Sequence, residues 1–273
     1  MTHLRLSGCR GREPVNSARL SRRALAIGLC AFSLLLSGCG QSTYTWGWHV
    51  VSPFDPRGLK NLGFLAQGLW LTVGISVIAI VISFFIGAAI AMLALSKRRP
   101  VRAINRAYVE VFRSIPLLVL LLWVYYGLPV VLGLQFGVFT AGVIALALSD
   151  SAFEAEIFRA GIQSIERGQR EAGQALGLSS WYTMRFIILP QALRRVLPAL
   201  GNQFVYVLKM SSLISVVGLQ ELTRRANELT LVEYRPLEIY TALVVEYLLL
   251  ILVASWMVRR LERRLGAGQV ERR

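Results

Sequence analysis

Glu110, Asp150, Glu154, Lys209 and Ser212 lie in or beside stretches of chain that are otherwise apolar. A charged group inside a bilayer is costly, so it tends to face a cavity or a partner. These five residues are therefore the candidates for a path through the chain. Other readings stay open: Glu110 and Arg113, one turn apart, equally suit a structural ion pair, and Lys209 equally suits snorkelling to an interface. Metal chemistry is disfavoured, because His3 and His49 are the only histidines and a zinc site needs more ligands. Cys9, Cys30 and Cys39 all lie near the N-terminal end, so they imply no disulfide framework for the body of the protein. No G-x-x-x-x-G-K-[ST] occurs, so the chain has no phosphate-binding loop of that kind.

A second set of residues has fixed spacing. Glu171-Ala172-Gly173 is followed after three residues by Gly177, and nine residues later by Ile187-Ile188-Leu189-Pro190. Small residues at Ala172, Gly173 and Ala175 would let a short helix approach another protein closely. Gly177 can end that helix through a left-handed residue. Pro190 should keep helix from running unbroken into the next span. Arg167, Arg170 and Arg185 would equally give a helix lying on the bilayer a basic face.

These side chains need elements to hold them, and the charge pattern supplies the elements. The 273 residues are 55% hydrophobic and 16% charged, with a mean hydropathy of +0.55. No charge falls between Lys60 and Lys97 or between Arg113 and Asp150, and about 20 apolar helical residues cross a bilayer. The gaps are membrane-sized. The net charge of +15 falls into clusters between them, which is the positive-inside pattern rather than a nucleic-acid surface. Spans are expected over about 65–95, from near Ala107, onward past Asp150 towards Arg159, over about 196–218, and over about 239–258. The 36 uncharged residues between Arg113 and Asp150 are too few for two full spans and a turn. Lys97 to Arg106, the polar stretch over about 162–195 and the tail 259–273 should lie inside. Gly127 to Phe136 and Thr223 to Pro236 should lie outside, and the loop from Leu219 to Glu238 has four glutamates against three arginines.

At the N-terminal end, Arg19, Arg22 and Arg23 precede an apolar run from Ala24 to Leu36 that leads into Ser37-Gly38-Cys39. This is a signal-peptide or signal-anchor pattern over residues 1–39. Leu36-Ser37-Gly38-Cys39 also looks like a lipobox, with Cys39 the residue to be lipidated. Cleavage would leave five spans behind a periplasmic segment, 40–64; retention would make a sixth.

The spaced motif resembles the EAA motif of bacterial ABC-importer permeases, with Gly173 where alanine is commoner. Tyr108 to Pro116, Glu156 to Ala172 and Leu208 to Leu213 are similar to stretches of the polar amino-acid permeases (histidine, glutamine and glutamate type), although many members have Asp or Asn where Met210 stands. The resemblance implies an all-α, polytopic helical membrane protein with the fold of a type I importer transmembrane domain, multi-pass in the bacterial inner membrane. It implies that Arg170, Glu171, Ala172, Gly173, Gly177, Leu178, Leu189 and Pro190 belong to a coupling helix and its flank, docked on an ATPase. It also implies partners: a cytoplasmic ATPase dimer carrying ATP and magnesium, a second permease subunit, identical or homologous, and a periplasmic or lipid-anchored solute-binding protein. The chain itself would need no cofactor and would not be an enzyme. Membrane lipid and an amino-acid substrate complete the set, with no nucleic acid. The run from Phe112 to Tyr126 looks nearest to glutamate/aspartate permeases. An importer for another small solute, such as an opine or amino-acid derivative, is the alternative. A secondary transporter would show a coupling-ion site and two related halves, and a membrane scaffold would not explain the spaced motif.

Overall fold

The computed structural model describes residues 44–96 and 98–264. The signal or signal-anchor over 1–39, Cys39 and the last nine residues lie outside the described residues. Two units are distinguished, Met1–Trp46 and Gly47–Arg273; the second carries every helix named below.

Helix α1 (Pro56–Ala94) starts where Asp55 accepts from the backbone N–H groups of Arg57 (2.8 Å) and Gly58 (3.4 Å). A carboxylate cap followed by proline in the first turn satisfies orphan donors and presets φ. The helix therefore begins before Leu65, in a segment expected to be loop. Helix α2 (Arg99–Ser114) ends at Ile115, held at φ −84° and ψ 124° ahead of Pro116, as the proline ring requires of the residue before it. Helix α3 (Leu117–Leu132), which includes a π-helical turn at Trp123–Gly127, leaves at 99° to α2. The second span is thus a bent pair rather than the single rod expected from near Ala107.

Helix α4 (Val138–Gln163) crosses next, followed by the short α5 (Arg167–Ala175). Helix α6 runs over Ser180–Val217, with a π-helical turn at Thr183–Ile188 and a 3-10 ending at Ser211–Val217. It corrects the expectation that helix would be interrupted before a span near Val196. Pro190 sits in the first turn after the π-helical segment, where the altered ladder tolerates its missing N–H, so helix runs on. Helix α7 (Leu222–Glu233) occupies what was expected to be a plain loop. Helix α8 (Pro236–Arg264) stays helical beyond its apolar core. Helices α1, α4, α6 and α8 are each long and apolar enough to cross a membrane, and α2 with α3 makes a fifth span when counted as one.

The core joins α1, α3, α4 and α6 through Ile75, Ala79, Leu120, Leu121, Val124, Ala145, Leu146, Val207 and Ile214. Helices α1 and α4 approach closely: a Cβ at Gly87 would stand 2.8 Å from the Cβ of Glu154. Lipid gives apolar side chains no reason to cluster, so helices gain contact by placing small residues at crossings.

Candidate functional site

The motif residues fold into one compact unit. Leu178 N–H donates to the Gly173 carbonyl (3.0 Å) and Gly177 N–H to that of Gln174 (2.9 Å), with Gly177 at φ +74°. This is a Schellman ending, which needs a left-handed residue at that position. Gly173 is buried because a Cβ there would come within 2.8 Å of Thr183 Cγ2 and 3.2 Å of Ile187 Cδ1. The expectation that Gly173 allows close approach to another protein is corrected: its closeness is to this chain's own α6. Arg170, Glu171, Ala172 and Ala175 are exposed. So are Leu176 (77%), Trp181 (63%), Tyr182 and Phe186, the last two stacked with ring centroids 5.8 Å apart. Leu178 is half-buried, and Leu189 and Pro190 are exposed on the first turns of α6. The helix thus puts a carboxylate and a set of uncovered apolar side chains on one protruding element.

The five candidate path residues are not gathered into one cavity. Glu110 lines a cavity of about 400 Å³ with Arg102, Asn105, Arg106, Arg113, Glu156 and Arg159, between α2 and α4. Lys209 and Ser212 line a different cavity, of about 500 Å³, with Thr223, Val244, Tyr247, Leu248 and Ile251. Asp150 and Glu154 are 2% and 1% exposed. Asp150 accepts from Ser83 Oγ (2.8 Å) and from Gln203 Nε2, so it ties α4 to α1 and α6. Among the described residues neither carboxyl oxygen of Glu154 has a hydrogen-bond partner. Thr223 and Tyr247 were not singled out in the sequence. Thr223 falls in a stretch that reads as loop, and Tyr247 is an aromatic in an apolar run, so neither carries a signal.

The opposite end of the bundle is tied by carboxylates. Glu221 is fully buried; its Oε1 accepts from Arg224 N–H (2.8 Å) and its Oε2 from Tyr247 OH (2.9 Å). Burial pushes its carboxyl above the ordinary 4.5, against the hydrogen bonds, which lower it. Glu233 pairs with Arg57 at 2.6 Å and accepts from Asn61 Nδ2 at 3.1 Å. Its burial alone would raise the carboxyl, but Arg57 and Asn61 outweigh that and hold it below 4.5. Glu238 is fully buried and accepts from Gly47 N–H at 2.6 Å. Among the described residues no group of three or more His, Cys, Asp or Glu side chains could hold a metal ion.

Residues 79–267 match the family described as the binding-protein-dependent transport system inner membrane component. The chain belongs to that family. Among similar proteins, the glutamine transport system permease protein GlnP of Escherichia coli (strain K12) is 38% identical over 219 residues, which is 80% of this chain and 97% of that one. The arginine transport system permease protein ArtQ of Bacillus subtilis (strain 168) is 35% identical over 210 residues, 77% of this chain and 96% of that one. A crystal structure of an amino acid ABC transporter with histidines is 38% identical, with a TM-score of 0.73, and covers 81% of this chain and 100% of that chain. The inward-facing methionine ABC transporter MetNI, at 23% identity and a TM-score of 0.65 over 74% of this chain and 96% of that one, shares the fold. This all-α, multi-pass protein is a transport permease of the kind its EAA motif resembles.

Proposed function

We propose that this chain forms half of the membrane path of an ATP-driven importer for a polar amino acid, with α5 as the element that receives the motion of the ATPase. The observation that carries this reading is the α5 geometry. Glu171 and Leu176 stand exposed on a helix whose base is locked to α6 through Gly173. A cytoplasmic ATPase dimer holding ATP and magnesium would grip that helix, and a second permease subunit, identical or homologous, would complete the path. A solute-binding protein would deliver substrate to the α7 end. ATP and the loaded binding protein then favour the outward-open arrangement, because each binds it better than the inward one.

Lys209 and Ser212 are the residues we assign to the substrate carboxylate, with Glu110 on the exit side. Asp150 and Glu154 are buried and line neither cavity, so they join the path only when the helices separate. Among the described residues Lys209 is the one charged side chain lining its cavity, which favours glutamate, aspartate or glutamine over a cationic amino acid. Uptake of labelled glutamine, glutamate and arginine by the chain assembled with its ATPase and binding protein tests the reading. Uptake of glutamine or glutamate, lost in Glu171→Lys together with ATPase co-purification while membrane insertion persists, is expected. Normal ATPase stoichiometry in Glu171→Lys would sink the docking role, and arginine as the best substrate would sink the Lys209 assignment.

A further inference from the structure

Arg102, Arg106, Glu110 and Arg113 recur at intervals of three or four along α2, so they share a face of that helix, and that face lines the 400 Å³ cavity. Arg159, Glu156 and Gln163 on α4 line it as well. Glu156 is already used: Arg159 binds it at 2.6 Å and also donates to Gln163 Oε1 at 2.9 Å. Among the described residues Arg113, which has the ring of Phe153 5.1 Å from its Cζ, has no carboxylate within ion-pair distance and feels Glu156 only at longer range, and Arg106 forms no ion pair or hydrogen bond. Arg102 reaches the carbonyl of Ser96 at 3.5 Å. Four guanidinium groups against two carboxylates leave the lining with two uncompensated positive charges.

Like charges one turn apart on a helix repel, and a cleft lined by one sign of charge concentrates counter-ions. The cheapest remedy is an anion. Guanidinium forks match the oxygens of a phosphate in pairs, and a phosphate monoester carries about −1.5 to −2 at neutral pH, which offsets the surplus where a carboxylate would offset half. We propose that this cavity is a binding site for a phosphate-monoester group, with Arg106 and Arg113 as its principal ligands. Gln163 also lines the neighbouring cavity of about 310 Å³ formed with Ile162, Ile165, Glu166, Arg167, Arg170 and Ile188, so the bound group sits beside the base of α5.

Such a group has two sources, an anionic lipid or a soluble phosphate. The full chain in dodecyl maltoside is dialysed against radiolabelled orthophosphate, and in parallel is taken from mixed vesicles of phosphatidic acid and phosphatidylcholine into native mass spectrometry. Saturable orthophosphate binding assigns a soluble ligand. Preferential retention of phosphatidic acid without orthophosphate binding assigns the lipid. In either arm Arg106→Gln weakens binding about tenfold, the loss of one charge-assisted contact, and Arg263→Gln on the α8 tail leaves it unchanged. Arg113→Gln should behave as Arg106→Gln does; should it fail to fold, the exposed Arg106 still decides. Binding of neither probe, or equal loss in the Arg106 and Arg263 variants, overturns the proposal.

Discussion

At the α7 end, Glu221, Glu233 and Glu238 are turned inward, and each is bonded across elements: to α8, to α1, and to the segment before Trp48. At the α5 end most polar groups are turned outward, and Gly173 packs tightly against Thr183 and Ile187. The first end is closed by charge that would be costly to expose once its bonds are made. The second is held by close packing and a neutral hydrogen bond, from Gln191 Nε2 to Gln169 Oε1 at 3.2 Å, and leaves its carboxylate and apolar side chains uncovered. A part that must stay whole through a transport cycle suits the first construction, and a part that hands motion to a partner suits the second.

Substitutions that treat the two ends differently sharpen this contrast. The largest effect on stability is expected from Glu221→Ala. It strands the Arg224 N–H, leaves Tyr247 OH with Thr223 Oγ1 at 3.1 Å, and costs about 3 kcal/mol, seen as a lower thermal midpoint in detergent; an unchanged midpoint would break the contrast at the α7 end. Next is Gly173→Val, whose side chain must displace Thr183 at a cost of about 1–3 kcal/mol. Because that strain falls at the base of α5, uptake should drop far more than the midpoint does. Gly177→Ala is milder, about 1 kcal/mol for a left-handed alanine, and should loosen α5 as read by proteolysis at the Leu178–Ser179 bond.

The smallest effect concerns pH. Glu233 titrates below 4.5 in the fold, so its contribution is full above that value and is lost as pH falls through the depressed one. The stability gap between wild type and Glu233→Gln should therefore hold from pH 7 down to about 4.5 and narrow below it. A gap that widens would mean that Arg57 and Asn61 do not hold the charged form.

The spans and the Gly177 turn were legible because they rest on local signals: a charge-free run of membrane length, and a glycine where a left-handed residue is needed. The break at Ile115-Pro116 was not, since apolar sequence continues across it and hides the 99° bend. Pro190 misled because a proline reads as a stop only in an α-helical ladder, and the preceding turn is π-helical. Helix α7 was hidden by its four-glutamate neighbourhood, which suggests loop until Glu221 is known to cap it. The separation of Lys209 from Glu110 into different cavities depends on helix packing, which no spacing records.

The unbroken course of α6 past Pro190 has a mechanical consequence. A hinge passes on displacement but not rotation, whereas a rod passes on both. From Ser180 to Val217 the 38 residues span about 57 Å at the usual rise. Pro198 removes one ladder hydrogen bond in mid-helix but does not end the helix, so torque applied beside Trp181 is carried to Ser212 and Lys209 near the far end, and turning the α5 end can reorient those two side chains even if the helix does not slide.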